Sequence, residues 1–265
     1  MIDGSISINN INNLTIESLN ELQTHLTFSG PSDEIKITDS KDISLINLRI
    51  GHGEQMNGCM GGVLNVSDSF GLSIEKCILY GCGVYGLKAE NASNIQVLNT
   101  NIIGCSEEGI RLNNITDSLF KDCRFLYNGA KAFSLVGCDN IVFEGLYARD
   151  NGNNAQENTS DYLFNLTDCR DILLNNAVIR NNLVKQLSNI DDLPKTNNII
   201  FKFNESDEDY FIGDYGNIPE IDETGHVFSS GILLGTSYPY KTYWIAPEGD
   251  SLKLYYEGDF NYPIW

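Results

Sequence analysis

The 265-residue sequence contains few basic residues. It has 17 Lys and Arg against 36 Asp and Glu, which gives a formal net charge of −19 at pH 7. Contacts to a phosphate backbone require clustered Lys and Arg, so this composition argues against a nucleic-acid partner. An acidity of this size mainly supports solubility and repels other anions.

The sequence also lacks segments that would place it in a membrane or direct it into secretion. No run approaches the about 20 apolar residues of a membrane span. The start, Met1–Ser5, has neither the basic region nor the apolar region of a signal peptide. These absences predict no membrane partner and favour a cytoplasmic location.

The main feature of the sequence is a repeat of 23 residues. The segment that begins at Asn94 matches segments that begin at Asp117 and Asn140, each 23 residues further on. An earlier copy at Gly71 keeps the same spacing, and the copies at Asp42 and Asp171 align once six residues are added in one coil and eight in another. A fixed period in the low twenties is typical of stacked coils.

Apolar and polar residues alternate within each repeat, and equivalent positions form columns. One apolar column is Leu45, Ile74, Val97, Phe120, Phe143 and Leu174, and a neighbouring polar column is Lys36, Asn65, Lys88, Arg111, Ser134 and Asn165. Alternation with period two predicts strands. Each coil has room for three short strands, and parallel stacking would bury a continuous core along the axis. We therefore predict an all-β, right-handed parallel β-helix of about six to seven coils.

This repeat, with its Asn-Ile starts and its G-x-x-x-G turns, resembles the pectate-lyase-like superfamily of right-handed β-helix proteins over roughly residues 35–204. The resemblance implies the fold. For activity it leaves polysaccharide lyases, glycoside hydrolases, epimerases and non-catalytic binding modules open, because none of the catalytic motifs of those enzyme families is found.

The solenoid predicts three regions. Residues 1–34 are expected to form an N-terminal cap, in which Ser18 begins a short helix with Leu19, Leu22 and Leu26 at helical spacing. Residues 35–204 form the β-helix. Residues 205–265 are acidic and aromatic, with a hairpin pattern around Ser251–Tyr256, and are expected to form a C-terminal β cap or a small β subdomain.

The seven cysteines are expected to be reduced. Cys82 with Cys105, and Cys138 with Cys169, occupy equivalent positions in adjacent coils, so disulfides between them are an alternative. The odd count and the absence of a secretion signal favour buried thiols. No Cys-x-x-Cys pair or zinc spacing occurs.

Two insertions at the same turn of the repeat suggest where function lies. They span residues 51–62 and 151–162, and three short-turned coils separate them. Insertions on one side of a repeat protein often mark the binding face. We call the region between them the trough.

The trough predicts a set of candidate site residues. Paired carboxylates with a nearby cation can act as acid and base, which makes Glu107, Glu108, Arg111 and Lys131 the candidate catalytic residues. The candidate ligand-binding residues are Tyr85, Lys88, Asp161 and Tyr162. The alternative is that these charges form cross-coil ion pairs, such as Glu108 with Lys131, on a solvated sheet.

No cofactor is predicted, although His52, Glu54 and Cys59 in the first insertion are candidate ligands for a divalent metal. A tight Gly-rich loop in which His52 bonds to backbone is the alternative. Two functions follow. The first is a β-solenoid module that presents the trough and an aromatic tail to a carbohydrate or protein partner. The second is a carbohydrate-active enzyme that uses the trough carboxylates with Arg111 or Lys131.

Overall fold

The computed structural model describes residues 2–19, 24–30, 32, 34–53, 60–81, 83–152, 160–190, 198–206, 220–221, 227–228, 243–248 and 251–256. The chain divides into two compact units, Met1–Ile212 and Gly213–Trp265.

The first unit contains short strands in every described coil. In chain order they are β1 (Ile6–Asn9), β2 (Asn12–Glu17), β3 (Thr24–Phe28), β4 (Ile35–Thr38), β5 (Lys41–Ile46), β6 (Leu48–His52), β7 (Leu64–Ser67), β8 (Phe70–Glu75), β9 (Ile78–Tyr80), β10 (Tyr85–Glu90), β11 (Gln96–Leu98), β12 (Asn101–Ile103), β13 (Glu108–Asn113), β14 (Thr116–Lys121), β15 (Arg124–Leu126), β16 (Lys131–Val136), β17 (Asp139–Glu144), β18 (Tyr147–Arg149), β19 (Ser160–Thr167), β20 (Arg170–Arg180), β21 (Val184–Ser188) and β22 (Ile200–Ser206).

These strands form two parallel sheets that wrap around one core. The first sheet takes one strand per coil, in the order β1-β4-β7-β10-β13-β16-β19-β21. The second sheet has two arms. Arm 1 has the order β2-β5-β8-β11-β14-β17, and arm 2 has the order β3-β6-β9-β12-β15-β18. The arms join at β20, an 11-residue strand that pairs with both β17 and β18. This arrangement is the predicted parallel β-helix.

The register of the sheets confirms the predicted columns. Val97 lies opposite both Ile74 and Phe120, and Phe120 lies opposite Phe143. In the polar column, Lys88 lies opposite Asn65 and Arg111. The apolar columns are buried in a single core cluster. Each coil therefore contributes the same positions to the core and the same positions to the surface.

The corners of the coils are formed by Asn and Asp in the left-handed backbone conformation. Asp68, Asn91 and Asn114 occupy the same corner of successive coils with φ between 50° and 53°. Asn and Asp tolerate this conformation better than other residues with a side chain. Their side chains also bond from coil to coil, since Asn114 Nδ2 donates to Asn91 Oδ1 at 3.0 Å. Asn and Asp thus close each corner and tie it to the neighbouring coil.

A second asparagine ladder lies inside the solenoid. Asn128, Asn151 and Asn182 are at most 3% exposed. Asn128 Nδ2 donates to Asn151 Oδ1 at 2.9 Å, and Asn151 Nδ2 donates to Asn182 Oδ1 at 2.8 Å. Each amide also donates to a backbone carbonyl, that of Asn151 to Phe125 at 2.8 Å. The ladder satisfies buried polar groups at the turns that lead into the first sheet.

The predicted N-terminal helix is wrong where the structure describes it. Leu26 lies in β3 and pairs with Ile50 of β6, and Leu19 is 96% exposed. Strand pairing with the next coil outweighs the helical spacing of the leucines, because burial and pairing override local propensity. Leu22 lies outside the described residues. Residues of the predicted cap therefore contribute β1, β2 and β3, which form the first coil.

The five cysteines that the structure describes are free, buried thiols: Cys77, Cys105, Cys123, Cys138 and Cys169. Cys59 and Cys82 lie outside the described residues. The Sγ atoms of Cys77 and Cys123 donate to the carbonyls of Leu45 and Val97 at 3.4 and 3.2 Å. These contacts fit thiols that serve as small apolar side chains.

We expect the buried thiols to resist alkylation in the folded protein. Burial raises the pKa of Cys77 to about 11 and that of Cys123 to about 12. Because the thiolate is the reactive form, both stay protonated and unreactive at pH 8. Iodoacetamide labelling followed by peptide mass mapping should find both residues unmodified before denaturation and modified in concentrated guanidinium chloride. Equal labelling in the two conditions would contradict their placement in the core.

The second unit contains a four-stranded antiparallel sheet. Its strands are β23 (Glu220–Ile221), β24 (Val227–Phe228), β25 (Tyr243–Glu248) and β26 (Ser251–Tyr256). β25 and β26 pair as a hairpin, with Trp244 opposite Tyr255. The hairpin pattern in the sequence is therefore confirmed.

Candidate functional site

Both insertions occur in the turn that leads from arm 2 to the first sheet. The first follows β6 and precedes β7, and the second follows β18 and precedes β19. Residues 54–59 and 153–159, which would supply most of the two sides of the trough, lie outside the described residues. The described part of the candidate site is the face of the first sheet between them.

Arg111 is the centre of this face. Its Nε donates to Oε2 of Glu108, and its Nη2 lies 3.2 Å from Oε2 of Glu107. The Glu108 side chain is 9% exposed, whereas those of Glu107 and Arg111 are 54% and 32% exposed. Burial lowers the pKa of Arg111, but the hydrogen bond to Glu108 and the two negative charges outweigh it and raise that pKa above its ordinary value. The guanidinium is therefore charged and fixed in place.

Tyr85 extends the cluster by one coil. Its ring lies 5.5 Å from the guanidinium carbon of Arg111 and 5.9 Å from Nζ of Lys88. The ring packs so closely on Gly62 that a Cβ there would lie 2.0 Å from Tyr85 Cε2. Burial, and secondarily the charge of Glu34, raise the pKa of Tyr85. The glycine at position 62 thus leaves space for the Tyr85 ring beside Arg111 and Lys88.

Glu34 is a member of the site that the sequence did not reveal. This residue is 6% exposed, and its Oε2 accepts a hydrogen bond from the Gly62 amide at 3.1 Å. Its Oε1 accepts from Asn65 Nδ2 at 3.3 Å and lies 3.6 Å from Lys36 Nζ. The only sequence feature that could have indicated a role for Glu34 is its position directly before an apolar strand. Glu34 fixes the backbone on which the Tyr85 ring packs.

The remaining predicted residues lie further from Arg111. Lys131 is opposite Glu108 in the register, but the carboxylate of Glu108 bonds to Arg111. Asp161 is exposed and bonds to Lys185 at 2.7 Å, which lowers the pKa of Asp161. Tyr162 is half-buried opposite Gln186. Glu107, Glu108, Arg111, Tyr85 and Lys88 thus form one cluster, which we call the Arg111 cluster.

The predicted metal ligands are not brought together in the described part of the chain. His52 is 5% exposed at the end of β6, with its ring centroid 5.9 Å from that of Phe28. Glu54 and Cys59 lie outside the described residues. Among the residues that the structure does describe, no group of three or more His, Cys, Asp and Glu side chains could hold a metal ion. The metal site stays a prediction.

The geometry of the Arg111 cluster favours binding over acid–base chemistry. In most glycoside hydrolases two carboxyl groups flank the scissile bond from opposite sides. Here Glu107 and Glu108 both bond to one guanidinium, so their carboxylates meet on the same side of it. This arrangement holds donors and acceptors in a fixed pattern on one patch.

The fold and this face define a parallel β-helix that carries a polar, aromatic cluster on one sheet. The family model for the right-handed β-helix region matches residues 35–207. The chain belongs to that family, and the predicted fold class is confirmed. No curated protein matches the sequence significantly. Among the described residues, no helix is long and apolar enough to cross a membrane.

Two solved structures are similar to the chain at low sequence identity. The Streptococcus pneumoniae surface adhesin PfbA is 15% identical with a TM-score of 0.46, and the match covers 95% of this chain and 70% of PfbA. The catalytic domain of a GH87 α-1,3-glucanase, determined with tetrasaccharides, is 11% identical with a TM-score of 0.45, over 66% of this chain and 39% of that one.

Proposed function

We propose that the chain is a non-catalytic carbohydrate-binding module that uses the Arg111 cluster and the polar column beside it. The supporting observation is the arrangement of Arg111, which two glutamates hold beside the ring of Tyr85. The ligand would meet charged donors, charged acceptors and an aromatic ring on one fixed patch.

A sugar suits this mixture because its hydroxyl groups both donate and accept hydrogen bonds. Hydrogen bonds to charged groups are roughly twice as strong as those between neutral groups. Aromatic rings add apolar contact area with a defined orientation, which the C–H groups of a pyranose can use. Because the ion pairs hold Arg111 before the ligand arrives, little side-chain entropy is lost on binding.

The repeat also suggests how a longer glycan would lie. Asn65, Lys88, Arg111, Ser134 and Asn165 stand opposite one another on five neighbouring strands of the first sheet. Neighbouring strands are about 4.8 Å apart, a spacing similar to the length of one pyranose unit. A linear oligosaccharide parallel to the solenoid axis would therefore meet polar side chains at Asn65, Lys88, Arg111 and Asn165, while Ser134 is only 7% exposed.

Arg111→Ala should abolish or strongly weaken sugar binding. A panel of neutral and acidic oligosaccharides is first screened by thermal shift, and the best ligand is then measured by titration calorimetry. Loss of charged hydrogen bonds should raise Kd about tenfold or more. The melting temperature without ligand should also fall, because the substitution leaves the nearly buried Glu108 carboxylate without its partner. Binding is therefore measured well below that temperature.

Arg170→Ala is the matched control. Arg170 also pairs with a carboxylate, that of Asp139 at 2.6 Å, but it lies on arm 1, away from the first sheet. The Kd of the Arg170→Ala variant for the same sugar should equal that of the unmodified protein. The proposal fails if no sugar in the panel binds, or if Arg111→Ala and Arg170→Ala weaken binding equally. Turnover of an oligosaccharide by the unmodified protein would instead support the enzyme alternative.

A further inference from the structure

The most exposed charged side chain at the centre of the Arg111 cluster is that of Glu107. It is 54% exposed, against 32% for Arg111 and 9% for Glu108. Glu107 lies in the turn directly before β13, whose first residue is Glu108. The charge that a molecule from solvent reaches most easily at this point is therefore negative.

The guanidinium of Arg111 is already bonded to carboxylates of the protein itself. Its Nε donates to Glu108 Oε2, and its Nη2 donates to Glu107 Oε2 at 3.2 Å. Two glutamates and one arginine leave an excess of negative charge. A carboxylate gains most from arginine when it bonds to two nitrogens at once. Any such pair of Arg111 nitrogens includes at least one that already bonds to a glutamate.

The lysines nearest to the cluster on the same face are also paired with carboxylates. Lys88 Nζ lies 4.0 Å from Glu90 Oε2. Lys36 Nζ lies 3.6 Å from Glu34 Oε1, and the side chain of Glu34 is 8% exposed. The positive charges of both lysines are thus offset by negative charges that the protein supplies.

Lys131 adds a positive charge one coil further along the face, opposite Glu108 in the register. Its charge acts on a carboxylate as well. The hydrogen bond from Lys185, and after it the charges of Lys185 and Lys131, lower the pKa of the exposed Asp161. The face as a whole therefore offers a ligand mixed charges, and its centre carries an excess of glutamates.

The hydroxyl of Tyr85 shows how a further negative charge is tolerated beside Arg111. Burial, and after it the charge of Glu34, raise the pKa of Tyr85, and the charge of Glu107 acts in the same direction. The charge of Arg111 lowers that pKa but does not outweigh the other effects. The position next to the Tyr85 ring thus disfavours an additional anion in spite of the nearby guanidinium.

Hydroxyl groups can join this arrangement without breaking an ion pair. A sugar hydroxyl can donate to the exposed carboxylate of Glu107 and can accept from Arg111, since arginine has more N–H donors than its two bonds here use. A carboxylate on the sugar has no hydrogen to donate to Glu107 and places like charges together, which is unfavourable in a binding site. The net charge of −19 adds a repulsion at longer range.

We propose that the Arg111 cluster selects neutral glycans, and that the carboxylate of Glu107 excludes glycans whose sugars carry a carboxylate at C6. This selection rests on the sugar-binding function proposed above and adds to it the class of sugar. Glu107 is the residue that determines specificity, because it accepts hydrogen bonds from neutral hydroxyl groups and repels uronate groups.

The test compares hexamers that differ only at C6. The β-1,4-linked hexamers of glucose and of mannose are paired with those of glucuronic acid and of mannuronic acid, and any other neutral sugar of the panel that binds is paired with its C6-oxidised form. Titration calorimetry with the full chain should give a Kd for the acidic member at least about tenfold above that of its neutral partner. This difference should narrow as salt is raised, because salt screens the repulsion.

Glu107→Gln tests the proposed residue with little change of shape. The substitution removes the negative charge but keeps an oxygen that can accept a hydrogen bond. The ratio of the acidic Kd to the neutral Kd should fall at least about fivefold. Glu75→Gln is the matched control, because it removes one negative charge from β8 on arm 1, where the side chain is 35% exposed. It should change the ratio by less than about twofold, since salt screens distant exposed charges.

The selection of neutral glycans is overturned if an acidic hexamer binds as tightly as its neutral partner, or if Glu107→Gln and Glu75→Gln change the ratio equally. Either result leaves the sugar-binding function standing, because a sugar still binds. If no hexamer and no other sugar of the panel binds, that function fails and the selection fails with it. Circular dichroism spectra of both variants should match that of the unmodified protein, which shows that a changed ratio does not come from unfolding.

Discussion

Replacement of Phe133 by alanine should lower the free energy of unfolding by about 3–5 kcal/mol. Phe133 is fully buried, and its ring centroid lies 4.2 Å from that of Phe164 in the next coil of the first sheet. It also lies 4.4 Å from the ring of Phe125 on arm 2 and 5.6 Å from that of Phe143 on arm 1. The substitution would leave a cavity where all three faces of the solenoid meet. Urea denaturation followed by circular dichroism would measure the loss.

Phe70→Ala is the control for this prediction. It removes the same side chain from a position that is 46% exposed, where the ring contacts Lys41 Nζ at 5.5 Å. We expect a change below about 1 kcal/mol. Equal losses at positions 70 and 133 would mean that the inward and outward columns are assigned incorrectly.

Asn151→Ala should be similarly destabilising, by about 3–5 kcal/mol, although it removes few apolar atoms. Asn151 Oδ1 accepts from both the backbone amide and the Nδ2 of Asn128, at 3.1 and 2.9 Å, and Asn151 Nδ2 donates to the carbonyl of Phe125. Alanine would leave these buried groups without their partner, and each unsatisfied group costs about 1–3 kcal/mol. The same denaturation experiment applies.

Asn175→Ala is the control for Asn151→Ala, because Asn175 lies outside the inner ladder of Asn128, Asn151 and Asn182. Asn175 lies on the surface of β20, and its Nδ2 donates to Glu144 Oε2 at 2.7 Å. Water can replace that bond, so the loss should stay near about 1 kcal/mol or below. If Asn151→Ala were no more harmful than Asn175→Ala, the inner ladder would not contribute to stability as its hydrogen bonds suggest.

The repeat made most of the solenoid predictable. Side chains alternate between inward and outward along a strand, and coils repeat at a fixed offset. Aligning the repeats therefore assigns each position to an inward or outward column, as the pairing of Phe120 with Phe143 illustrates. The first coil was missed because leucines at helical spacing outweighed a weaker repeat. The segment Asn13–Ile16 precedes Asp42–Leu45 by 29 residues and pairs with it in register, and this offset was the available signal.

The candidate site was predictable only in part. Glu107, Glu108 and Arg111 were expected to lie together because they share one turn and one strand, and the structure places them in contact. Whether Glu108 would bond to Lys131 or to Arg111 depends on side-chain reach, which the columns do not specify. Glu34 was missed because its contact with Gly62 depends on the path of a turn.

The arginines of arm 2 illustrate a different limit. The strands that carry Arg49, Arg124 and Arg149 are only three to five residues long and read as ordinary apolar sequence with one charge. The charge pattern emerges only when three or more coils are stacked, since Arg124, Arg149 and Arg180 lie in successive coils. Residues that adjoin on a solenoid surface are therefore spread over distant parts of the sequence.

The corner asparagines and aspartates have a consequence for how such a protein changes in evolution. Each coil closes on itself through its own corners and contacts only its neighbours, as Asn91 does with Asp68 and Asn114. Duplication or loss of one 23-residue unit would preserve every corner and lengthen or shorten the sheet by about 4.8 Å. The separation of the insertions at 51–62 and 151–162 is set by the number of short-turned coils between them. Descendants of this gene could thus fit ligands of different lengths by gaining or losing whole coils, without any change in the chemistry of a single binding position.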